Sequence, residues 1–423
     1  MTRDAQLMVA GRAEAARRSP GIAPWRLSLN IRTLALVAVL MLLSATAPRA
    51  ATIHVDDSGG GDYVTIQEGV DAAADGDIVL VLPGTYDGPG NQHVDLQAKS
   101  ITIESAGGPD VTTIVGTAMF HDDGGMFVLT SAATAHVVIE GFTIRDARVY
   151  EAGGGAIYCG NSAITVRDCV FEDCRAHTDY WEVEGNGGAI YIEGGALAEQ
   201  STIEDCVFAR CAAYGPVGGA IYVEDASVTI ARCSFNECSA SHCGSGVNIE
   251  GPLPCVVTDC SFFGNTCVWD WRTGVIAAWD PSWSSPCDVS IRNCTFVANY
   301  TRRWLFYLTD GVTMEHCIIA FNTSDSDPCD LISGSAAYTT QCVVFQNEHG
   351  DSLGASHADN LFVDPLFCGF PSGDLSLCAD SPCLPQSADN PWGVLVGALD
   401  AGCGDCYSIV EPMSWGAIKA LYR

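Results

Sequence analysis

Ile164-Thr-Val-Arg-Asp-Cys-Val-Phe171 is one member of a series. It returns as Thr202-Ile-Glu-Asp-Cys-Val-Phe208, Val228-Thr-Ile-Ala-Arg-Cys-Ser-Phe235, Val256-Val-Thr-Asp-Cys-Ser-Phe262 and Val289-Ser-Ile-Arg-Asn-Cys-Thr-Phe296, with weaker copies from Val312 to Ile319 and from Thr339 to Val344. An earlier copy, Val137-Val-Ile-Glu-Gly-Phe-Thr-Ile144, carries Phe142 where the others carry cysteine. The shared position falls at Phe142, Cys169, Cys206, Cys233, Cys260, Cys294, Cys317 and Cys342, at intervals of 27, 37, 27, 27, 34, 23 and 25 residues. One coil of a solenoid with loop insertions in two turns produces such a series. Within each copy apolar and polar residues alternate, the mark of a strand with one buried face.

The residue before the shared position separates a solenoid from a sandwich. Gly141, Asp168, Asp205, Arg232, Asp259, Asn293, His316 and Gln341 stand there, a set rich in residues that tolerate positive φ. A left-handed corner between two short strands, repeated once per coil, accounts for it. In a parallel β-helix each coil hydrogen-bonds to the next at about 4.8 Å, and equivalent residues stack into ladders. The hairpin signals of a sandwich, such as Asn-Gly between adjacent runs, are missing.

A second motif interleaves with the first, as Gly154-Gly-Ala-Ile-Tyr158, Gly187-Gly-Ala-Ile-Tyr191 and Gly218-Gly-Ala-Ile-Tyr222, with a looser echo at Gly246-Val-Asn-Ile249. Five residues after the shared position come Cys174, Cys211 and Cys238, then Asn265, Asn299, Asn322 and Asn347. The pairing of Gly-Gly-Ala-Ile with Phe-x-x-Asn, as in Phe262 to Asn265 and Phe296 to Asn299, resembles the repeats of chlamydial polymorphic outer-membrane proteins. The stretch from Ile53 to Leu384 resembles the pectin-lyase-like family of right-handed β-helix proteins from bacterial surfaces. That resemblance implies an all-β, single right-handed parallel β-helix solenoid and says little about activity, because the family mixes lyases, hydrolases, esterases and adhesins.

Open solenoid ends expose unpaired backbone and need closing. Thr65-Ile-Gln-Glu68 is a capping box that opens a short N-terminal helix, with Ile66, Val70 and Ala73 or Ala74 on one face and Gly76 after its end. The stretch Tyr63 to Tyr86 resembles the opening of pectin methylesterases. Asp364-Pro-Leu-Phe-Cys368 and Asp380-Ser-Pro-Cys383 resemble the closing segments of bacterial surface β-helix proteins. The division that follows is a leader and signal peptide over 1–51, the β-helix over 52–384, and a closing segment and tail over 385–423.

The leader carries Arg26 and Arg32, an apolar run from Leu34 to Leu43 and small residues up to Ala51. A bilayer span needs about 20 apolar residues, so this order reads as a secretory signal cleaved between Ala47 and Thr52. The chain is expected to be secreted or exposed at the outer surface of a bacterium, with no membrane insertion after cleavage. All 21 cysteines would then lie where disulfides persist. A formal net charge of −31, with Lys99 and Lys419 the only lysines, repels phosphate backbones and anionic lipid, so nucleic acid is excluded as a partner. Hydrophobic residues at 48% allow a substantial core.

Catalytic signatures are weak. Gly350-Asp-Ser-Leu-Gly354 matches G-x-S-x-G, but it has coil turns on both sides where an elbow needs a strand and a helix. The paired-aspartate contexts of pectin methylesterases and the aspartate and histidine set of polygalacturonases are missing. Cys403-Gly-Asp-Cys406 is a lone CxxC, insufficient for zinc, and no metal ligand set is assigned. Calcium is a candidate cofactor at stacked outer carboxylates such as Asp168 and Asp205, where a neighbouring arginine is the alternative. The cysteine column admits inter-coil disulfides or packed thiols. Bridges are expected among Cys368, Cys378, Cys383, Cys403 and Cys406.

Both long intervals are lengthened before the next glycine corner, in loops 175–186 and 266–286. If the coils stack, these loops stand side by side with Tyr150, Tyr214 and Tyr300 from shorter connections. They gather Tyr180, Trp181, Trp269, Trp271, Trp279 and Trp283 with Glu182, Glu184, Asp270 and Asp280. Sugar rings stack on such faces and donate hydroxyls to such acids. Carbohydrate-binding residues are therefore expected at Tyr180, Trp181, Trp269, Asp270, Trp271 and Trp279, in a non-catalytic protein that binds a polysaccharide or cell-surface glycan or acts in adhesion. A divergent polysaccharide lyase or glycoside hydrolase of the same fold is the rival, and packing of these rings against the coil flank is the plainer alternative.

Overall fold

The computed structural model describes residues 50–406, apart from 98, 122–123, 131–134, 179–184, 195–199, 216–217, 270–271, 283–285, 326–329, 334–336, 349 and 354–356. Residues 1–49 of the leader and 407–423 of the tail lie outside these residues. Among the described residues no helix is long and apolar enough to cross a membrane.

A single turn shows the plan. Ala163–Arg167 lies on a first face, Val170–Glu172 on a second, Arg175–His177 on a third and Ile190–Glu193 on a fourth, and Ser201–Glu204 returns to the first one rung on. Repetition builds four parallel sheets of twelve, ten, eight and nine strands. Pairing is in register throughout: Thr165 opposes Thr202 and Thr202 opposes Thr229, and Val170, Val207 and Ser234 follow one another on the second face. Val207 N donates to Cys169 O at 2.9 Å and Ser234 N to Cys206 O at 2.9 Å, so the shared cysteines stand one above the next. Parallel strands joined by crossovers wind right-handed almost without exception, because right-twisted strands pack back onto the sheet only that way.

The corners are set by sequence. All eight residues of the column from Gly141 to Gln341 have φ between 49° and 79°. A second left-handed column turns the second face into the third, at Asp146, Asp173, Arg210, Glu237, Gly264, Ala298, Phe321 and Gln346. Next to it lie Cys174, Cys211 and Cys238, whose thiols donate to the carbonyls of Ile144, Phe171 and Phe208 at 3.5 Å. From Asn265 onward asparagine does the same work more strongly. Asn265, Asn299 and Asn322 send Nδ2 to the carbonyls of Phe235, Phe262 and Phe296 at 2.9–3.0 Å. Their Oδ1 atoms accept from the backbone N–H of Cys238, Asn265 and Asn299.

Inside, Phe171, Phe208, Phe235, Phe262 and Phe296 form one stack with centroids 4.6–4.9 Å apart and all are fully buried. Offset aromatic contact at rung spacing gains attraction beyond area burial. The cysteines of both columns are buried thiols, and burial holds Cys174, Cys206, Cys238, Cys260, Cys294 and Cys317 above the ordinary thiol value. Among the described cysteines the bridges are Cys368–Cys403 and Cys378–Cys406, in the region expected, while Cys383 is a buried free thiol.

The N-terminal helix is Ile66–Ala72, with the capping box between Thr65 and Glu68 intact in both directions. Ile66 and Val70 join the core, and a Cβ at Gly69 would stand 2.6 Å from Val55 Cγ2. The C-terminal part adds a sheet of its own. The last strand of the first face is His357–Ala358, and a separate three-stranded sheet follows over Phe367–Gly369, Asp374–Cys378 and Ala401–Cys403. The boundary placed at 384 falls inside this disulfide-bonded segment. Leu377, Cys383, Leu384 and Val396 pack on Ile318, Ala320 and Val343, and Phe370 and Leu375 pack on Val297 and Ala298. The segment thus covers the outer side of the last rungs of the second face, because those positions are apolar where a solvated face would be polar.

Candidate functional site

The interior is filled and the C-terminal segment covers the last rungs of the second face, while the edge between the third and fourth faces carries exposed rings. Register fixes that edge. Ala176, Ala213, Ala240, Cys267 and Thr301 oppose one another in sequence along the third face, so the connections that leave after each of them emerge from the same flank.

Rings line it. Tyr150 stacks on His177 at 5.6 Å, His177 meets Tyr214 at 5.5 Å, and further along His242 meets Trp269 at 5.0 Å. Tyr214 is 45% exposed and Trp269 58%, large apolar surfaces offered to solvent. Met119, Arg148, Val149, Arg175, His177 and Tyr214 enclose a groove of about 280 Å³. Arg148 and Arg175 oppose each other on adjacent rungs, each 3.6 Å from an acid of its own corner, Asp146 or Asp173. The flank can stack a ring and pair with polar or anionic substituents.

Of the residues singled out by sequence, Trp269 stands on this flank. Tyr180, Trp181, Asp270 and Trp271 lie outside the described residues. Trp279 is a correction. It ends the fourth-face strand Ile276–Trp279 and is 1% exposed, so it is not on a loop. Gly274-Val-Ile-Ala277 is a degenerate copy of the glycine-corner motif, and Val247 pairs with Ile276, so the supposed loop 266–286 contains a complete strand.

The fourth face carries a constellation that the motif reading missed. Tyr158, Tyr191 and Tyr222 point outward in register, as do Glu193, Glu224 and Glu250 two positions on. Tyr158 donates to Glu193 and Tyr191 to Glu224, each at 2.5 Å across one rung. Glu250 is hydrogen-bonded by Asn248 Nδ2, at 3.4 Å, and by Tyr222. The tyrosine column breaks at Asn248 and Ala277 and resumes at Tyr307. Arg272 reaches over the break, its guanidinium carbon 4.8 Å from the Trp279 ring centre and 5.9 Å from that of Tyr307. Burial first, and Glu224 second, push the Glu250 carboxyl up to about 7. Its sequence signal was the alternation Tyr-Ile-Glu193, Tyr-Val-Glu224 and Asn-Ile-Glu250 directly after the glycine corners.

At the outer corner where calcium was considered, arginine supplies the charge. Arg232 lies 2.7 Å from both Asp205 and Glu204 and holds the Asp205 carboxyl below its usual value. Arg210 pairs with Glu172 at 2.5 Å and with Asp173 at 2.9 Å. Cys403 and Cys406 are each joined to another cysteine, which leaves that CxxC no thiolates for zinc. Ser352 donates to Asp330 and lies in coil without an elbow.

A family model described as right handed beta helix region matches residues 101–280. Among solved structures, a pectin methylesterase from carrot is 14% identical, covering 78% of this chain and 94% of its own, with a TM-score of 0.29. Pectin methylesterase PemA from Erwinia chrysanthemi is 9% identical over 75% and 93%, with a TM-score of 0.35. A mannuronic acid specific polysaccharide family 6 lyase from human gut microbiota is 10% identical over 74% and 82%, with a TM-score of 0.23. No curated protein matches the chain. The ladder of in-register parallel strands and the family-model match agree on a right-handed parallel β-helix.

Proposed function

We propose that this chain is an exported, surface-exposed or secreted bacterial β-helix protein that binds a glycan along the flank between its third and fourth faces and does not cleave it. The carrying observation is the row Tyr150, His177, Tyr214, His242 and Trp269 along one flank, with the 280 Å³ groove at Tyr214. A solenoid repeats its side chains along a line, and a polysaccharide repeats its rings along a line, so a one-sided row of partly exposed rings suits an extended sugar chain. Arginines within the groove add donors for hydroxyl or carboxylate oxygens.

Glycan-array binding of the purified protein tests this, compared with Tyr214→Ala and Trp269→Ala. Each substitution is expected to weaken the bound glycan about tenfold, since a lost ring contact is worth about 1.4 kcal/mol. Unchanged binding in both variants would refute the flank. Release of unsaturated or reducing ends from the bound polymer would instead support the lyase or hydrolase reading.

A further inference from the structure

We propose that Glu224, Glu250 and the side-chain carbonyl of Asn248 form a site for a calcium-sized divalent cation on the outer side of the fourth face. It is independent of the glycan flank and of the arginine-paired corner at Asp205.

Three observations meet there. First, Glu224 and Glu250 oppose each other on adjacent rungs, about 4.8 Å apart at the backbone, and point the same way. Parallel in-register pairing forces like onto like, so the two charges cannot separate without breaking the ladder. Second, Asn248 is fully buried on the same rung as Glu250, its Nδ2 directed at Glu250, and its Oδ1 has no hydrogen-bond partner. Orphaned buried acceptors are rare because each costs roughly 1–3 kcal/mol, so an unmet one marks a place for something that accepts its lone pairs. Third, the tyrosine column is interrupted here. Asn248 and Ala277 replace rings over two rungs between Tyr222 and Tyr307, beside the carboxylates.

The donor balance argues for a cation over a lone water. Tyr191 donates to Glu224, and Asn248 Nδ2 and Tyr222 serve Glu250, yet oxygens remain in excess. Arg272 is stacked on Trp279 and Tyr307. A hard cation satisfies all three oxygen groups at once, with waters completing its shell. Trp279 stacks on Glu250 in the next rung and its buried Nε1–H has no partner, so it is placed to donate to one of those waters. Ligands fixed at rung spacing suit calcium, which tolerates irregular shells, better than magnesium, which demands a near-ideal octahedron.

Terbium luminescence sensitised by Trp279 reads the site directly. The full chain is expected to give sensitised emission that calcium displaces at least tenfold more effectively than magnesium. Glu224→Gln/Glu250→Gln is expected to lose that emission and at least tenfold in calcium affinity by calorimetry, with unchanged circular dichroism and unchanged glycan binding. Asn248→Asp, which adds a charged ligand, is expected to tighten calcium, and Asp205→Asn to leave it unchanged. Should the double glutamine variant fold poorly, Asn248→Asp decides alone: unaltered calcium affinity overturns the site. Equal binding in wild type and double variant, or no calcium binding by wild type, also overturns it.

Discussion

Asn299 closes a corner by itself. Its Oδ1 accepts from Asn265 N and Asn265 Nδ2, and its Nδ2 donates to Phe262 O and Asn322 Oδ1. Replacing it by alanine strands buried donors and an acceptor together. Asn299→Ala is therefore expected to destabilise by about 3 kcal/mol in urea titrations, and Asn299→Cys, which restores the thiol-to-carbonyl bond of earlier rungs, by clearly less. The succession of Cys174, Cys211 and Cys238 by asparagines was visible in sequence, and this shared carbonyl is its cause. The second left-handed column was not visible, because Arg210, Glu237, Ala298 and Phe321 are not residues that favour positive φ. There the stacked rungs impose the conformation, and local preference yields. Trp279 was misplaced for a related reason: a strand copy that had lost its paired glycine looked like loop.

Helix Ile66–Ala72 was legible from its capping box, and so were the strands of the first two faces, whose alternation survives in most copies. Strands of the third face are two or three residues long and carry almost no pattern, so they emerge only from register. The first turn is tied by Asp77, whose carboxylate accepts from Ala74 N at 2.9 Å and Ala51 N at 2.7 Å and is held below the usual value by those bonds. A depressed folded value means the stabilisation is present at neutral pH and is lost as pH falls through the carboxylate range, below about 4. Hydrogen exchange should show the strand Thr52–Val55 opening before the central turns in acid, and Asp77→Asn should show that opening already at pH 7. Acid behaviour identical in the two proteins would refute the tie.

At the scale of the whole chain, the spacing of the central turns was readable, whereas the path of the C-terminal segment was not. Its docking depends on apolar outward positions such as Ile318 and Val343, which in sequence are indistinguishable from inward ones. Two disulfides, closing separations of 35 and 28 residues, hold it. Each is worth about 2–4 kcal/mol by restricting the unfolded segment. Reduction is expected to expose the four bridged thiols to an alkylating reagent and to release the segment, with circular dichroism of the solenoid preserved. The thiols of the Cys169 and Cys174 columns should react only on global unfolding, because they are buried. Mass spectrometry of alkylated peptides separates the two groups, and early labelling at Cys206 or Cys260 would contradict the packed interior.

The equal spacing of Cys206, Cys233 and Cys260 has a consequence for ancestry. Val207 and Ser234 occupy one place on consecutive rungs, so a genetic exchange between their codons adds or drops one entire winding and leaves every remaining column aligned. Length in such a protein can therefore drift by whole windings while the two terminal closures stay the same, and relatives of unequal length need share no insertion site.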